Sequence, residues 1–411
     1  MTMSWESISL SDALRPLKSS PFTRDELNYS GGQYQNVHYG DILVRFPSVV
    51  DAEKEGLPYV NNSSEGRCTR CTLLQNGDII IADTAEDEAV GKAIEIQGIK
   101  DQKVVSGLHT MAFRPQEGLF APGFLGYFLN SSVYHNQLLP LMQGIKVLSI
   151  SKTAIGDTVI KYPSYKEQER VVDSLSGVDD MIGALDEAIA KKRQIKEGLM
   201  QQLLTGKTRL PGFSGEWSRE MLGKHATVLR GGSPRPIEAF LTTDPDGINW
   251  IKIGDVGVGA KYIVKTEERI IPEGASRSRE VKAGDFLLSN SMSFGRPYIL
   301  KIDGCIHDGW LVIQDYYDSF DTDYLYYALN ASETIEQYKS MAAGSSVLNL
   351  NKDIVKRVLV NIPSIDEQKA LASVLSSVDD EIVSLESKRD KYVHIKQGMM
   401  QELLTGKIRL I

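Results

Sequence analysis

Residues Tyr162 to Leu210 read YPSYKEQERVVDSLSGVDDMIGALDEAIAKKRQIKEGLMQQLLTGKTRL. Residues Ile362 to Leu410 read IPSIDEQKALASVLSSVDDEIVSLESKRDKYVHIKQGMMQELLTGKIRL. The two stretches lie 200 residues apart without a gap and are identical at 24 of 49 positions. A repeat this long, in one register, means that the chain is laid out twice on one plan.

Each copy predicts a long helix. Pro163 and Pro363 precede Ser164 and Ser364, and Glu167 and Glu367 stand three residues on, so S-x-x-E predicts a capping box. Apolar residues then recur at Leu175, Val178, Ile182, Leu185 and Ile189. The second copy has Leu375, Val378, Ile382 and Leu385, then Tyr392, Ile395, Met399 and Leu403. This heptad-like seam predicts helices of ~40 residues, ~60 Å long. Gly206 and Gly406 suit αL caps, with Lys207 and Lys407 beside the last carbonyls. Helices of that length cannot hide a seam inside a small domain, so the simplest arrangement buries the two stripes against each other.

Working outward, residues 1–161 are punctuated by Gly and Pro and rich in β-type runs at 37–46, 73–84, 91–99 and 109–115. Residues 124–139 read as a helix, and Pro211 to Trp217 as a turn-rich linker. Residues 211–361 repeat the plan, with strand-like runs at 250–256 and 280–291. Gly77-Asp78 and Gly284-Asp285 predict matching turns, and Leu125, Tyr127, Leu129 and Asn130 match Leu325, Tyr327, Leu329 and Asn330. The expected class is α+β: two β-rich globular units, 1–161 and 211–361, alternating with two helical segments, 162–210 and 362–411. The helices are near copies while the globular units differ in most residues. One common job done twice, beside one kind of job done on two targets, fits that contrast.

The chain has 411 residues, 42% of them hydrophobic and 24% charged, as in ordinary globular proteins. No apolar run reaches the ~18 residues of a membrane span, and MTMSWESISLSD does not read as a signal peptide. The expected compartment is the cytoplasm, with no membrane partner. Net charge is −8, and neither globular unit is basic. Bulk charge therefore excludes a non-specific grip on nucleic acid. Catalytic signatures are missing: there is no N-P-P-[YF] or D-P-P-[YF], no G-x-x-x-x-G-K-[ST] and no G-x-G-x-x-G. Asp366-Glu367-Gln368-Lys369 mimics a nuclease E-x-K, but the first copy lacks the lysine. Cys68-Thr69-Arg70-Cys71 lacks the two further ligands zinc needs, and Cys305 is remote. Neither a metal nor another cofactor is expected.

The arrangement resembles the specificity subunit of type I restriction–modification enzymes over its full length. P-S-x-x-E-Q at 163–168 and 363–368, and L-L-T-G-K-x-R-L at 203–210 and 403–410, carry the resemblance. It implies a non-catalytic subunit whose globular units are target-recognition domains. Each would read one half of a bipartite, asymmetric double-stranded DNA site. The helices would form an antiparallel coiled coil, related by a pseudo-two-fold, that spaces the halves and docks two methyltransferase subunits, with restriction (nuclease/translocase) subunits as further candidates. The rival reading is a coiled-coil scaffold presenting two protein-binding modules.

Base reading asks for cationic and small polar side chains on loops. In the second unit, Arg230, Ser233 and Arg235 lie on a turn-forming basic loop, followed by Lys252, Ser291, Ser293, Arg296, Ser345 and Ser346. Arg45, Arg67, Arg70, Lys92 and Lys146 hold comparable places in the first. Leu199, Met200, Leu203 and Leu204, with Met399, Met400, Leu403 and Leu404, exceed the apolar surface one seam needs and are expected to bind the methyltransferase subunits.

Overall fold

The computed structural model describes residues 5–257, 259–290, 294–342 and 350–411. The repeat copies form uninterrupted helices, Tyr165–Leu203 and Ile365–Leu403. Two compact units result. One holds residues 1–186 and 387–411, the other residues 187–386. Each therefore contains one globular body, the half of a long helix next to it in sequence, and the far half of the other long helix.

In the first unit, Glu6–Ser9 pairs antiparallel with Val159–Tyr162, tying the start of the globular body to its end. A five-stranded sheet runs in the order Leu14–Pro16, Thr110–Pro115, Ile79–Ala82, Ala93–Gln97, Val49–Asp51, with only the last pair parallel. The second unit repeats both features. Ser218–Met221 pairs with Leu359–Ile362. Its main sheet runs Thr227–Arg230, Trp310–Gln314, Phe286–Ser289, Pro297–Leu300, Tyr262–Ile263, again with a parallel last pair. The matched turns that lead into Ile79–Ala82 and Phe286–Ser289 are also built alike. Gly77 and Gly284 have φ of 88° and 100°, and Asp78 and Asp285 each accept a bond from the backbone N three residues back, at 2.8 Å.

The bodies then diverge. The first adds a four-stranded sheet ordered Lys103–Ser106, Tyr34–Val37, Tyr59–Val60, Leu27–Asn28. The second adds a five-stranded sheet ordered Leu241–Thr242, Glu268–Ile270, Ile248–Ile251, Gly304–Ile306, Arg279–Val281.

Two sequence expectations change. Residues 37–46, read as strand, contain the helix Tyr39–Val44: His38 Nδ1 accepts from Gly40 N at 3.1 Å, and Asp41 binds Arg24 through both oxygens. Residues 124–139 form two helices, Phe124–Phe128 and Ser132–Leu138, because Ser131 caps the second.

The two repeat motifs meet within each unit. In the second, Glu367 takes two bonds from Arg209, at 2.6 and 2.7 Å, and one from Trp217 Nε1 at 3.0 Å. In the first, Glu167 takes the same two bonds, at 2.6 and 2.7 Å, from Arg409. Ser364 Oγ still accepts from Glu367 N at 3.4 Å, so of the expected capping box the glutamate's return bond is what gives way to the arginine. A guanidinium offers a carboxylate a charge-assisted, two-bond partner that a lone backbone N–H cannot match. The neighbouring glutamines hold the globular bodies: Gln168 accepts from Ala121 N and Gln368 from Asp321 N, both at 2.8 Å. Gly206 and Gly406 turn the chain at φ of 72° and 71°, as the αL caps required.

Further along, the Tyr127 hydroxyl donates to Asp179 at 2.8 Å, and Lys396 meets the other oxygen at 2.6 Å. Tyr327, Asp379 and Lys196 repeat the triad at 2.7 and 2.6 Å. Within the first unit the pairs Glu167–Arg409, Asp179–Lys396 and Asp186–Arg389 descend in step. Within the second, Arg193–Glu386, Lys196–Asp379 and Arg209–Glu367 do the same. In both, the helix halves run antiparallel.

The terminal apolar residues of the helices are core. Leu203 and Leu204 are buried with Leu222, Phe286, Tyr324 and Leu375. Leu403 and Leu404 are buried with Leu10, Ile81, Phe128 and Leu175. Leu199 and Met200, and likewise Met399 and Met400, pack against the same clusters. The expectation that methyltransferase subunits bind here is corrected for Leu203, Leu204, Leu403 and Leu404, which the cores cover, while Leu199, Met200, Met399 and Met400 are only partly buried. A seam alone does not need those four buried leucines, but the globular bodies do.

Candidate nucleic-acid interface

The second body gathers its candidates at one turn. Strand Thr227–Arg230 pairs with Trp310–Gln314, placing Arg230 opposite Leu311 and the loop after it beside His307 and Asp308. Gly231 N donates to Trp310 O at 2.9 Å and Gly232 N to Ile306 O at 3.1 Å. The approach demands glycine, since a Cβ on Gly231 would lie 2.1 Å from the His307 carbonyl oxygen.

Asp308 is the hub. The Ser233 hydroxyl donates to its carboxylate at 3.0 Å, Arg235 approaches the other oxygen at 3.4 Å, and Arg230 Nε donates to its carbonyl at 3.2 Å. His307 Nε2 lies 3.0 Å from the same carboxylate. Burial opposes ionisation of Asp308. The Ser233 bond and the charges of His307, Arg235 and Arg230 outweigh it and keep the carboxyl below its ordinary range. A cleft of about 510 Å³ opens here, lined by Ser233, Arg235, Trp250, Lys252, His307 and Asp308. Lys252 pairs with Glu268 at 2.6 Å, which raises its pKa. Arg235 is 82% exposed and tethered by one long bond, so it can swing to a ligand at small cost.

Four predicted residues, Arg230, Ser233, Arg235 and Lys252, therefore share one place. Arg296 stands apart, its guanidinium 5.7 Å from the Tyr298 ring centroid. Ser291, Ser293, Ser345 and Ser346 lie outside the described residues. Pattern reading missed His307 and Asp308, whose only signal was a polar pair before a strand.

In the first body the candidates scatter and are largely engaged. Arg45 donates to Tyr29 Oη at 3.2 Å and to the Gly56 carbonyl at 3.1 Å. Arg67 pairs with Glu26 and lies 4.7 Å over the Phe22 ring. Lys92 Nζ donates to Leu43 O at 3.0 Å, and burial pushes its pKa down. Arg70 and Lys146 are exposed. A cluster that sequence reading missed joins Tyr39, His109, Thr84 and Asp83. The Tyr39 and His109 rings lie 5.2 Å apart, and His109 Nδ1 stands 3.2 Å from Thr84 Oγ1 and 3.3 Å from Asp83.

Both sites present convergent donors and acceptors beside aromatic surface, an arrangement suited to hydrogen-bond recognition. Among the described residues no group of three or more His, Cys, Asp or Glu could hold a metal ion. Nor, among the described residues, is any helix long and apolar enough to cross a membrane.

Residues 231–394 match the family described as type I restriction modification DNA specificity domain. A putative type I restriction enzyme specificity subunit, MjaX of Methanocaldococcus jannaschii, is 23% identical over 99% of this chain and 94% of its own length. The MjaVIII specificity subunit of the same organism is 23% identical over 65% of this chain and 66% of its own. Among solved structures, a chain from work on complex assembly and conformational transition of the type I restriction–modification system superposes with a TM-score of 0.62. It is 17% identical and covers 98% of this chain and 97% of that one. The S subunit from M. genitalium gives 0.56 at 13% identity, covering 98% and 96%.

Proposed function

As a homologue of type I restriction specificity subunits, this chain, we propose, is the non-catalytic DNA-sequence-recognition subunit of such a system. Residues 1–161 read one part of a bipartite, asymmetric DNA site and residues 211–361 read the other. Two methyltransferase subunits join it, and restriction subunits join that assembly. Supplying the chemistry falls to those partners.

The observation that carries this reading is the pairing of sameness and difference. The main sheet order, the matched glycine–aspartate turns and the Glu–Arg clasps recur in both units. The surfaces that carry loose cations do not recur: Arg235 sits over Asp308 in one, while the other has the His109–Asp83 cluster. A shared frame with unlike reading surfaces is what two different half-sites require. DNA binding by the chain alone is expected to be weak and salt-sensitive, because a chain of net charge −8 has only local basic faces to offer phosphates.

The test is to map methylated adenines in cells carrying the complete system, first with the natural chain and then with residues 211–361 exchanged for the corresponding unit of another specificity subunit. One half of the methylated sequence should change and the other should stay. If both halves change together, or neither does, the proposal fails.

A further inference from the structure

A turn in the first body carries an isoleucine that nothing covers. Ile145 is 99% exposed, more than any other large hydrophobic side chain among the described residues. Val147 is 51% exposed, and Lys146 between them is exposed too. Single apolar side chains on a surface are ordinary, because neighbours along a helix or sheet shade them. An isoleucine bare on every side at the tip of a turn is not of that kind.

The tip is firmly held. Gln143 and Ser149 exchange both backbone bonds, Gln143 N to Ser149 O at 2.9 Å and Ser149 N to Gln143 O at 2.8 Å. Gly144 takes a φ of 126°, and a Cβ there would lie 2.0 Å from the Val147 carbonyl oxygen, so the turn closes only on glycine. Beneath it, Met142 and Leu148 pack on the first body's core, and Ile150 is buried in that core. The returning arm, Leu148–Ser149, pairs with Thr84–Ala85, and Ile150 N donates to Asp83 O at 2.9 Å. Thr84 and Asp83 are the partners of His109. The tip therefore stands on the short strand that also builds the hydrogen-bonding cluster of the first body's candidate interface.

Ile145 and Lys146 together call for a narrow apolar slot bordered by negative charge. A duplex offers one at every step, where stacked base faces lie between phosphates. We propose that Ile145 is a wedge that the first body drives between two stacked base pairs of its half-site, with Lys146 on an adjoining phosphate. The wedge rests on the proposed function and deepens it by naming how one half-site is read. Pyrimidine–purine steps unstack most easily, so the wedge selects such a step without a hydrogen bond to either base. In the 200-residue register Ile145 and Lys146 match Ser345 and Ser346, which bring neither apolar bulk nor charge. The deformation belongs to the first half-site alone.

The experiment uses the full chain assembled with the methyltransferase subunits of its own system, at saturating concentration, on duplexes carrying the site that methylation mapping gives. The adenine analogue 2-aminopurine, whose fluorescence rises when it leaves the stack, replaces each adenine of the first half-site and its flanks in turn, on either strand. A rise is expected at the adenine that the methyltransferase flips and at one further step, TA or CA. Ile145→Ala, a change at a bare position, should lose the further rise, keep the first, and raise the dissociation constant about tenfold. Ile145→Leu keeps the apolar bulk and should keep both rises. Lys146→Ala should reduce the salt slope by about one, and an unchanged slope overturns the phosphate contact. A further rise that persists in Ile145→Ala, or that the natural chain never shows, overturns the wedge and leaves the proposed function standing. An Ile145→Ala chain that no longer assembles with the methyltransferase subunits makes the tip a protein contact and also overturns the wedge. A natural complex that methylates no two-part site overturns the proposed function itself.

Discussion

Glu367 shows how much one side chain can settle. Its carboxylate is buried and holds three donors from Arg209 and Trp217. Glu367→Gln removes the charge but keeps the shape, leaving a guanidinium facing an amide. The unfolding midpoint of the second unit should drop by several degrees, and Glu167→Gln should do the same to the first unit. Thermal melts of each variant check this. Glu26 gives a pH signature in the first body. Its bond from Arg67, helped by the Thr23 backbone and Ser64, lowers its pKa from 4.5 to about 2. The folded state then keeps the charge while the unfolded chain takes up a proton, so the contribution is complete above about 4.5 and is lost as pH falls toward 2. Acid melts of Glu26→Gln should show a shallower loss over that window than the natural chain. At the cleft, Arg235→Ala should relax discrimination at one position of the second half-site by about 1–3 kcal/mol, read from methylation rates on substituted sites. The basic loop holding Arg235 was legible in the sequence, because Gly and Pro punctuate it. Asp308 was not, because an acidic residue near DNA reads as repulsive until its partners are seen. Cys68 and Cys71 are unbridged, and burial pushes the Cys68 thiol up to about 11.

At the scale of elements, the helices were the most legible part. Their seam gave the length to within a few residues, since a period sustained over ten turns has no competing reading. Short elements failed where tertiary bonds outvoted local pattern. Tyr39–Val44 is helical because Arg24 fixes Asp41 and His38 caps the turn, and none of that is local. The leucines at the helix ends failed differently, since surplus apolar surface does not announce what covers it. Leu203 is 3% exposed within the second core, so Leu203→Ala should cost that unit about 2–5 kcal/mol in urea unfolding. Gly198→Ala should go the other way, stabilising by roughly 0.5–1 kcal/mol, because the open Cβ position costs nothing to fill.

For the whole molecule, the repeat announces two similar bodies. It does not announce that each body is completed by the far end of the other's helix. That exchange is invisible to sequence comparison because the two helices are near copies, and either could serve either body. The structure distinguishes them through Leu403 and Leu404, which enter the core of the first unit, and Leu203 and Leu204, which enter the second. Residues 187–386 form one continuous segment, whereas the other unit needs residues 1–186 and 387–411 together. On the ribosome, then, order of synthesis and order of completion part company. The segment translated second can close as soon as it has emerged, while the opening segment must wait, its core unsealed, until residues 387–411 have left the exit tunnel.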